Sequence, residues 1–258
     1  RLAVKAYPEL YFARFVILGE GDSERLVIPR VAEAMGMQLD PSFVPIVPLG
    51  GRYVSHFWKL LNDLQIPHAT LLDLDLGRVH GGANTVRTVI AALANFGNDL
   101  SENESVLRGD IDPDDLDDLE HADLVDGFED NDWLQALKVE GVFFSDPIDI
   151  DFAMLSAFPE AYRHPNPGGH GPREGEESLQ EKKAVTLKSG GDPSLFDDSF
   201  DEDFRWYPYL FLNRSKPETH LLALSRISED DLRDNAPPEL KALVEHVKEA
   251  LVIADGDE

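Results

Sequence analysis

The chain has no cysteine, no long hydrophobic run and little positive charge. Without cysteine there can be no disulfide and no zinc site built from thiolates, so any metal ion must be bound through oxygen or imidazole nitrogen. The longest apolar runs fall well short of the roughly 18 residues that a membrane helix needs. The N-terminus has neither an initiating Met nor the pattern of a signal peptide. These absences predict a soluble cytoplasmic protein, and the missing Met indicates a fragment that begins mid-chain.

The shortage of positive charge is large: 23 Lys and Arg face 50 Asp and Glu, a formal net charge of -27. This argues against a protein that simply coats nucleic acid, because such proteins neutralise phosphates with Lys and Arg. Fifteen of the acidic residues, and only one basic residue, Arg108, lie between positions 99 and 132. We interpret this segment as a solvated helical insertion rather than an acidic mimic of DNA. Any affinity for DNA would then depend on a local patch or on another domain.

What the sequence does contain is a hydrophobic content of 42% in 258 residues, enough for a full core. Apolar runs alternate with helical patterns in the first part of the chain. The patterns predict strands at residues 15–19, 43–47 and 69–72, and helices at 23–35 and 53–64. Strands separated by helices of this length predict right-handed crossovers and a parallel sheet, that is, an α/β fold.

The pattern changes after Gly77. We expect a helix at residues 84–96, the acidic segment, a strand at 142–144 and a short helix that ends at Phe158. Residues 164–175 and 189–203 are predicted to be polar loops, the second of them mobile. Clear helical spacing returns only at the end, where the apolar positions are Leu240, Leu243, Val244, Val247 and Leu251.

Acidic side chains follow the predicted strands. Glu20 comes after the first strand, and Asp73 and Asp75 come after the third. Ligands of open parallel sheets bind beyond the carboxyl ends of the strands, so these residues should share one crevice. Arg52 follows the second strand after two glycines, where it could meet a phosphate, although a simple tight turn is the alternative.

A third acidic pair, Asp149 and Asp151, follows the predicted strand at 142–144. Two carboxylates that are two residues apart point to the same side of an extended segment and can bind one cation. Alternatives exist: the pair can cap a helix, Glu24 in a first helical turn is favoured by the dipole alone, and Asp-x-Asp also occurs in phosphatases and sugar-nucleotide transferases. Clustered like charges at buried strand ends nevertheless favour a cation site, and two ions about 4 Å apart would suit attack on a phosphodiester.

Three motifs together resemble a known family. They are YFARFVILGEGDSE at residues 11–24, VPLGGR at 47–52 and LLDLD at 71–75. This combination resembles the TOPRIM domain of the overcoming-lysogenization-defect (OLD) family of nucleases, a metal-binding fold shared with topoisomerases and primases. The resemblance covers residues 7–77 and resumes at 143–158.

The resemblance implies a TOPRIM-type parallel sheet flanked by helices with an inserted acidic helical subdomain. It divides the chain into residues 1–84 and 141–258 as the two parts of the TOPRIM domain and 85–140 as the insertion. The implied metal ligands are Glu20, Glu24, Asp73, Asp75, Asp149 and Asp151, and the implied catalytic residues are Glu20, Asp73 and Lys216. Lys216 would stabilise phosphate charge, and His220 would share its face if that segment is helical.

The resulting hypothesis is a metal-dependent DNA endonuclease that nicks or cleaves DNA with two Mg²⁺ or Mn²⁺ ions. Members of the family carry an ATPase domain ahead of this region, but the chain contains no phosphate-binding loop motif, so we expect an isolated C-terminal nuclease region. Other metal-dependent phosphoryl or nucleotidyl transfer is one alternative. A non-catalytic module that binds cations and another protein is the second.

Overall fold

A sheet of four parallel strands forms the centre of the protein. The computed structural model describes residues 7–50, 54–165 and 170–256. The strands are β1 (Val16–Gly19), β2 (Ile46–Pro48), β3 (His68–Asp73) and β4 (Val142–Ser145), in the spatial order β2-β1-β3-β4. Ile17 of β1 pairs with Ile46 of β2 and with Ala69 of β3, and Leu71 of β3 pairs with Phe143 of β4. The predicted parallel α/β fold is confirmed.

The two strands β1 and β4 are buried along their whole length. A strand of a parallel sheet is covered by helices on both faces, so its sequence is a nearly continuous apolar run rather than an alternating one. The runs Val16-Ile-Leu and Val142-Phe-Phe have this character, and all six side chains are at most 2% exposed. Burial on both faces therefore explains why these short segments are strands.

Helices surround the sheet. They are α1 (Asp22–Ala34), α2 (Val54–Asp63), α3 (Ala83–Ala94), α4 (Glu104–Arg108), α5 (Asp132–Val139), α6 (Ile150–Ala157), α7 (Pro159–Tyr162), α8 (Glu176–Leu187), α9 (Asp201–Tyr207), α10 (Lys216–Leu224), α11 (Glu229–Asn235) and α12 (Pro238–Gly256). Short 3₁₀ turns lie at Pro8–Phe12, Pro113–Asp118, His121–Leu124, Pro193–Leu195 and Asp198–Phe200, and a π turn lies at Pro208–Leu212. Within the described ranges, none of the helices has both the length and the apolar character needed to cross a membrane.

Two details of the first half differ from the predictions. Helix α1 begins at Asp22, one residue earlier than predicted, with Gly21 as its N-cap residue. The strand predicted at 43–47 begins only at Ile46, because Phe43 closes a turn by donating its N–H to the carbonyl of Asp40 and has a positive φ of 56°. Such a backbone conformation does not continue a strand.

The second half contains more helix than the pattern predicted, since α8, α9, α10 and α11 were not expected. The segment 189–203 is also more ordered than a mobile loop: it holds two 3₁₀ turns and the start of α9. Phe196 in this segment is buried, and its ring centroid lies 4.9 Å from that of Phe204. Aromatic packing therefore fixes a segment whose composition is that of a loop.

The acidic segment lies between β3 and β4 in the chain and is anchored to the core. Its buried apolar side chains are Leu100, Ile111, Leu119, Leu124 and Phe128, and helix α5, which follows it, packs against β4. Val125 in the same segment is 46% exposed and does not contribute to this anchoring. The helical character of the segment is present in α4 and two 3₁₀ turns, whereas its boundaries at residues 85 and 140 stay a prediction.

Candidate active site

A cleft of about 220 Å³ opens beyond the carboxyl ends of the strands, where the acidic residues were expected to meet. It is lined by Glu20, Gly21, Asp22, Ser23, Glu24, Asp73, Asp149, Ile150, Asp151 and Lys216. The structure thus brings together five of the six expected metal ligands and the expected lysine. Arg52, the expected substrate-binding residue, lies outside the described residues.

Glu20 and Asp73 meet at the ends of β1 and β3. Oε1 of Glu20 accepts a hydrogen bond from the backbone N–H of Asp73 at 3.0 Å. Oδ1 of Asp73 is buried and has no hydrogen-bond partner among the described residues. Burial raises the pKa of Asp73 well above its ordinary value, and the neighbouring carboxylate of Glu20 raises it further. Burial likewise raises the pKa of Glu20. An acceptor without a donor next to a second carboxylate is a place where a cation would be stabilised.

Glu24 belongs to the same side of the cleft. Its Oε2 accepts a hydrogen bond from the N–H of Gly21 at 2.9 Å, and the residue is 2% exposed. Burial raises the pKa of Glu24 to about 7. A Cβ on Gly19 would lie 2.8 Å from the Glu24 side chain, so the close approach of β1 to this carboxylate requires glycine there.

Asp149 caps helix α6, which confirms the alternative interpretation of this residue as an N-cap. Its Oδ1 accepts a hydrogen bond from the N–H of Phe152 at 3.0 Å. Its Oδ2 accepts a short hydrogen bond from the hydroxyl of Tyr207 and lies 3.5 Å from Nη2 of Arg78. Burial raises the pKa of Asp149, and Asp151 adds to the effect.

Asp151 is held by two residues of α10. Its Oδ2 lies 2.5 Å from Nζ of Lys216, and its Oδ1 lies 2.7 Å from Nε2 of His220. Nδ1 of His220 is in turn 2.7 Å from the hydroxyl of Tyr162. Burial alone would raise the pKa of Asp151, but the bond to His220 and the charge of Lys216 outweigh it and lower the pKa to about 2.

Asp75, the sixth expected ligand, is paired with Arg78 at the far side of this group of carboxylates. Nε of Arg78 also donates to the carbonyl of Thr186 at 3.2 Å. The loop is closely packed, since a Cβ on Gly81 would lie 1.9 Å from the carbonyl oxygen of Asp75. Sequence reasoning missed Arg78 and Tyr207 as members of the site. The spacing Asp75–Arg78 was the available signal for the arginine, because residues three apart in a turn can pair.

The residues fit a hard divalent cation in their chemistry. Most of the oxygen-bearing side chains at the cleft are carboxylates, the ligands that Mg²⁺ and Mn²⁺ prefer, and Asp73 offers a buried oxygen without a hydrogen-bond partner. In the described part of the chain no three acidic or histidine side chains converge tightly enough to form a ready-made metal centre. The carboxylates would therefore have to close on an ion as it binds.

Comparisons with known proteins agree with this picture. A search of curated protein sequences found no match. Among solved structures, the chain is similar to the C-terminal region of the Xanthomonas campestris pv. campestris OLD protein (TM-score 0.54, 22% identity, covering 95% of this chain and 99% of the other). It is also similar to the C-terminal region of the Burkholderia pseudomallei OLD protein (TM-score 0.53, 19% identity, covering 93% and 99%). At these identities the likeness concerns the fold.

The sequence itself gives the family of the first part of the chain. Residues 11–75 match the family described as "Overcoming lysogenization defect protein-like, TOPRIM domain". The match spans β1, β2 and β3 and contains Glu20, Glu24, Asp73 and Asp75. The resemblance of this part of the chain to the OLD-like TOPRIM family, seen in the sequence, is therefore confirmed.

Proposed function

We propose that this chain is a metal-dependent nuclease that hydrolyses phosphodiester bonds of DNA. The observation that carries the proposal is the convergence of five of the predicted carboxylate ligands and Lys216 on one cleft at the carboxyl ends of the strands. The family match of residues 11–75 supports it, because TOPRIM domains generally bind divalent metal ions.

Glu20, Glu24 and Asp73 are the residues that would hold a divalent cation, Mg²⁺ or Mn²⁺. Their carboxylates are buried side by side, and burial raises the pKa of all three, so their charged forms are costly unless a cation binds to them. When bound, the cation would supply a Lewis acid for the phosphoryl oxygen and an acidified water. Asp75, Asp149 and Asp151 are the ligands that a second ion would need.

Lys216 supplies a positive charge beside this cation. Its side chain is 44% exposed, while its Nζ lies 2.5 Å from the buried Asp151. Asp151 therefore orients the ammonium group, which remains accessible from the cleft. In this position it would stabilise the charge that develops on the phosphate and the leaving oxygen during hydrolysis.

The acidic character of the cleft predicts strict dependence on the metal. A phosphodiester that approached these carboxylates without a cation would be repelled. The chain as a whole, at a net charge of -27, offers no general attraction for DNA.

The test is conversion of supercoiled plasmid to nicked and linear forms in the presence of Mg²⁺, Mn²⁺, Ca²⁺ or EDTA. The variants Glu20→Gln, Asp73→Asn and Lys216→Met should each lose metal-dependent cleavage. The control variants are Glu33→Gln on α1 and Lys59→Met on α2, whose side chains are exposed and form ion pairs within their own helices. They should cleave as the wild type does.

Other outcomes would replace the proposal. Cleavage that persists in the Glu20 and Asp73 variants would show that the cleft is not the active site. Hydrolysis of a small phosphate ester without cleavage of plasmid would indicate other phosphoryl transfer on the same carboxylates. A cation that raises the melting temperature without any turnover would indicate a cation-binding module.

A further inference from the structure

We propose that Arg78 and Lys216 take the place of a second divalent cation. The site would then hold one metal ion, and the positive charges of these two side chains would replace the other. The inference rests on the proposed function and concerns the number of ions that the site holds. It differs from the expectation of two ions that came from the sequence, and the experiment below decides between the two.

The two halves of the site differ in how their negative charge is compensated. Asp149 and Asp151 each contact a cationic side chain, Arg78 and Lys216 respectively. Asp75 also pairs with Arg78. In the described part of the chain no cationic side chain forms an ion pair with the carboxylates of the other half, which are Glu20, Glu24 and Asp73. A divalent cation would therefore gain most on that half.

Arg78 is fixed in its place by several partners. Its Nη1 is paired with Asp75, its Nε donates to the carbonyl of Thr186, and its Nη2 faces Asp149. Its side chain is only 10% exposed. A guanidinium group remains charged at all working pH values and presents its donors in a rigid plane. Arg78 therefore provides a permanent positive charge between Asp75 and Asp149, two of the ligands that a second ion would need.

Three of the four side-chain oxygens of Asp149 and Asp151 form hydrogen bonds with protein groups, and the fourth, Oδ2 of Asp151, has no hydrogen-bond partner among the described residues but lies 2.5 Å from Nζ of Lys216. Asp149 accepts from the N–H of Phe152 and the hydroxyl of Tyr207 in addition to facing Arg78. Both oxygens of Asp151 are in contact with Lys216 and His220. A second ion could bind only if several of these donors were displaced, and displacing a buried guanidinium leaves an uncompensated charge. A second ion would also be repelled by the positive charges of Arg78 and Lys216.

The experiment is electron paramagnetic resonance of the protein titrated with Mn²⁺. Two Mn²⁺ ions about 4 Å apart are exchange-coupled and give a spectrum distinct from that of an isolated bound ion. Ions on the acidic surface are scattered and do not give that coupled spectrum. The Glu20→Gln/Asp73→Asn double variant identifies the signal that depends on the cleft.

We expect the wild type to show one isolated ion that the double variant loses, and Arg78→Met to show a coupled pair at the same Mn²⁺ concentration. Asp149→Asn, which can still cap α6, should keep the isolated ion. Arg163→Met is the matched control, because it removes a partly buried arginine paired with Asp203 at 2.7 Å outside the cleft. It should leave the spectrum unchanged. Arg78→Lys, which retains the charge, should also show a single ion.

A coupled pair in the wild type would overturn the inference and leave the proposed nuclease function standing. Isolated ions in both the wild type and Arg78→Met would show that Arg78 does not exclude the second ion, and would also overturn it. A wild-type spectrum identical to that of the double variant would contradict the proposed function itself. If Arg78→Met fails to fold, the wild type and Asp149→Asn still decide the question.

Discussion

Nε2 of His220 lies 2.7 Å from Oδ1 of Asp151, and neither side chain is more than 1% exposed. His220 is one helical turn after Lys216 in α10, so two residues of one helix hold the two oxygens of the same carboxylate. The hydroxyl of Tyr162 contacts the other imidazole nitrogen. The buried histidine therefore positions Asp151, and through Asp151 it positions the lysine at the cleft.

We predict that His220→Ala is more destabilising than Tyr162→Phe. The first change leaves a buried carboxylate without one of its donors, which costs about 3 kcal/mol. The second removes one neutral hydroxyl at a cost of about 1 kcal/mol. Urea unfolding of both variants measures the difference in the free energy of unfolding. Equal losses in the two variants would mean that His220 contributes only through packing.

Lys216→Met should lower metal-dependent cleavage by about two orders of magnitude, the loss typical of removing one group that stabilises transition-state charge. Because Lys216 is partly exposed, the change should affect the free energy of unfolding less than His220→Ala does. Lys216→Arg retains the charge and should recover part of the activity. Single-turnover cleavage at saturating metal measures the effect, with Lys59→Met as control. Unchanged cleavage in Lys216→Met would remove this residue from the mechanism.

The sheet and the acidic ends of its strands could be predicted from the sequence. The runs at Val16–Gly19 and Val142–Ser145 are apolar because both faces of a parallel strand are buried, and that property is local in sequence. The topology then brings Glu20, Asp73 and Asp149 to one edge, because the carboxyl ends of parallel strands meet there.

Apart from Lys216, which the resemblance implied, the partners of Asp149 and Asp151 could not be predicted, since they depend on contacts between distant parts of the chain. Tyr207 bonds to Asp149 across 58 positions, and His220 to Asp151 across 69. Helix α8, which presents the carbonyl of Thr186 to Arg78, has only four buried residues and little helical periodicity. Tertiary contacts, rather than local pattern, determine this half of the site.

Binding of Mn²⁺ should weaken as the pH falls below about 7, because burial raises the pKa of Glu24 to about 7 and the proton competes with the cation. If binding displaces one proton, the affinity for Mn²⁺ falls about tenfold for each pH unit below that pKa. Glu24→Gln should bind Mn²⁺ more weakly at high pH and with a shallower pH dependence.

Mn²⁺ titrations of both proteins at about pH 6, 7 and 8 measure the slopes that this linkage predicts. Glu33→Gln, on the exposed side of the same helix, is the control. Identical slopes in the wild type and Glu24→Gln would mean that Glu24 does not exchange its proton for the cation. In that case the protons would be released by Glu20 or Asp73, whose pKa values burial also raises.

We predict that the buried carboxyl group of Glu239 makes the free energy of unfolding depend on pH. Glu239 lies in the first turn of α12, is 2% exposed, and its Oε1 accepts from the N–H of Asp146 at 3.4 Å. Burial, with the nearby Asp146, raises its pKa from 4.5 to about 8. Between these values the folded protein holds a proton that the unfolded chain releases, so the free energy of unfolding falls as the pH rises through this window. Asp146, whose pKa burial raises to about 6, acts in the same direction.

Glu239→Gln keeps the acceptor oxygen but cannot ionise. Relative to the wild type, it should gain stability as the pH rises from about 5 to about 9, by up to a few kcal/mol, because only the wild type must ionise a buried group. Urea unfolding at both pH values measures the gain, and Glu245→Gln, exposed on the same helix, is the control. A difference between Glu239→Gln and the wild type that stays constant with pH would mean that Glu239 has the same protonation in the folded and unfolded states, and that burial imposes no cost on its charge.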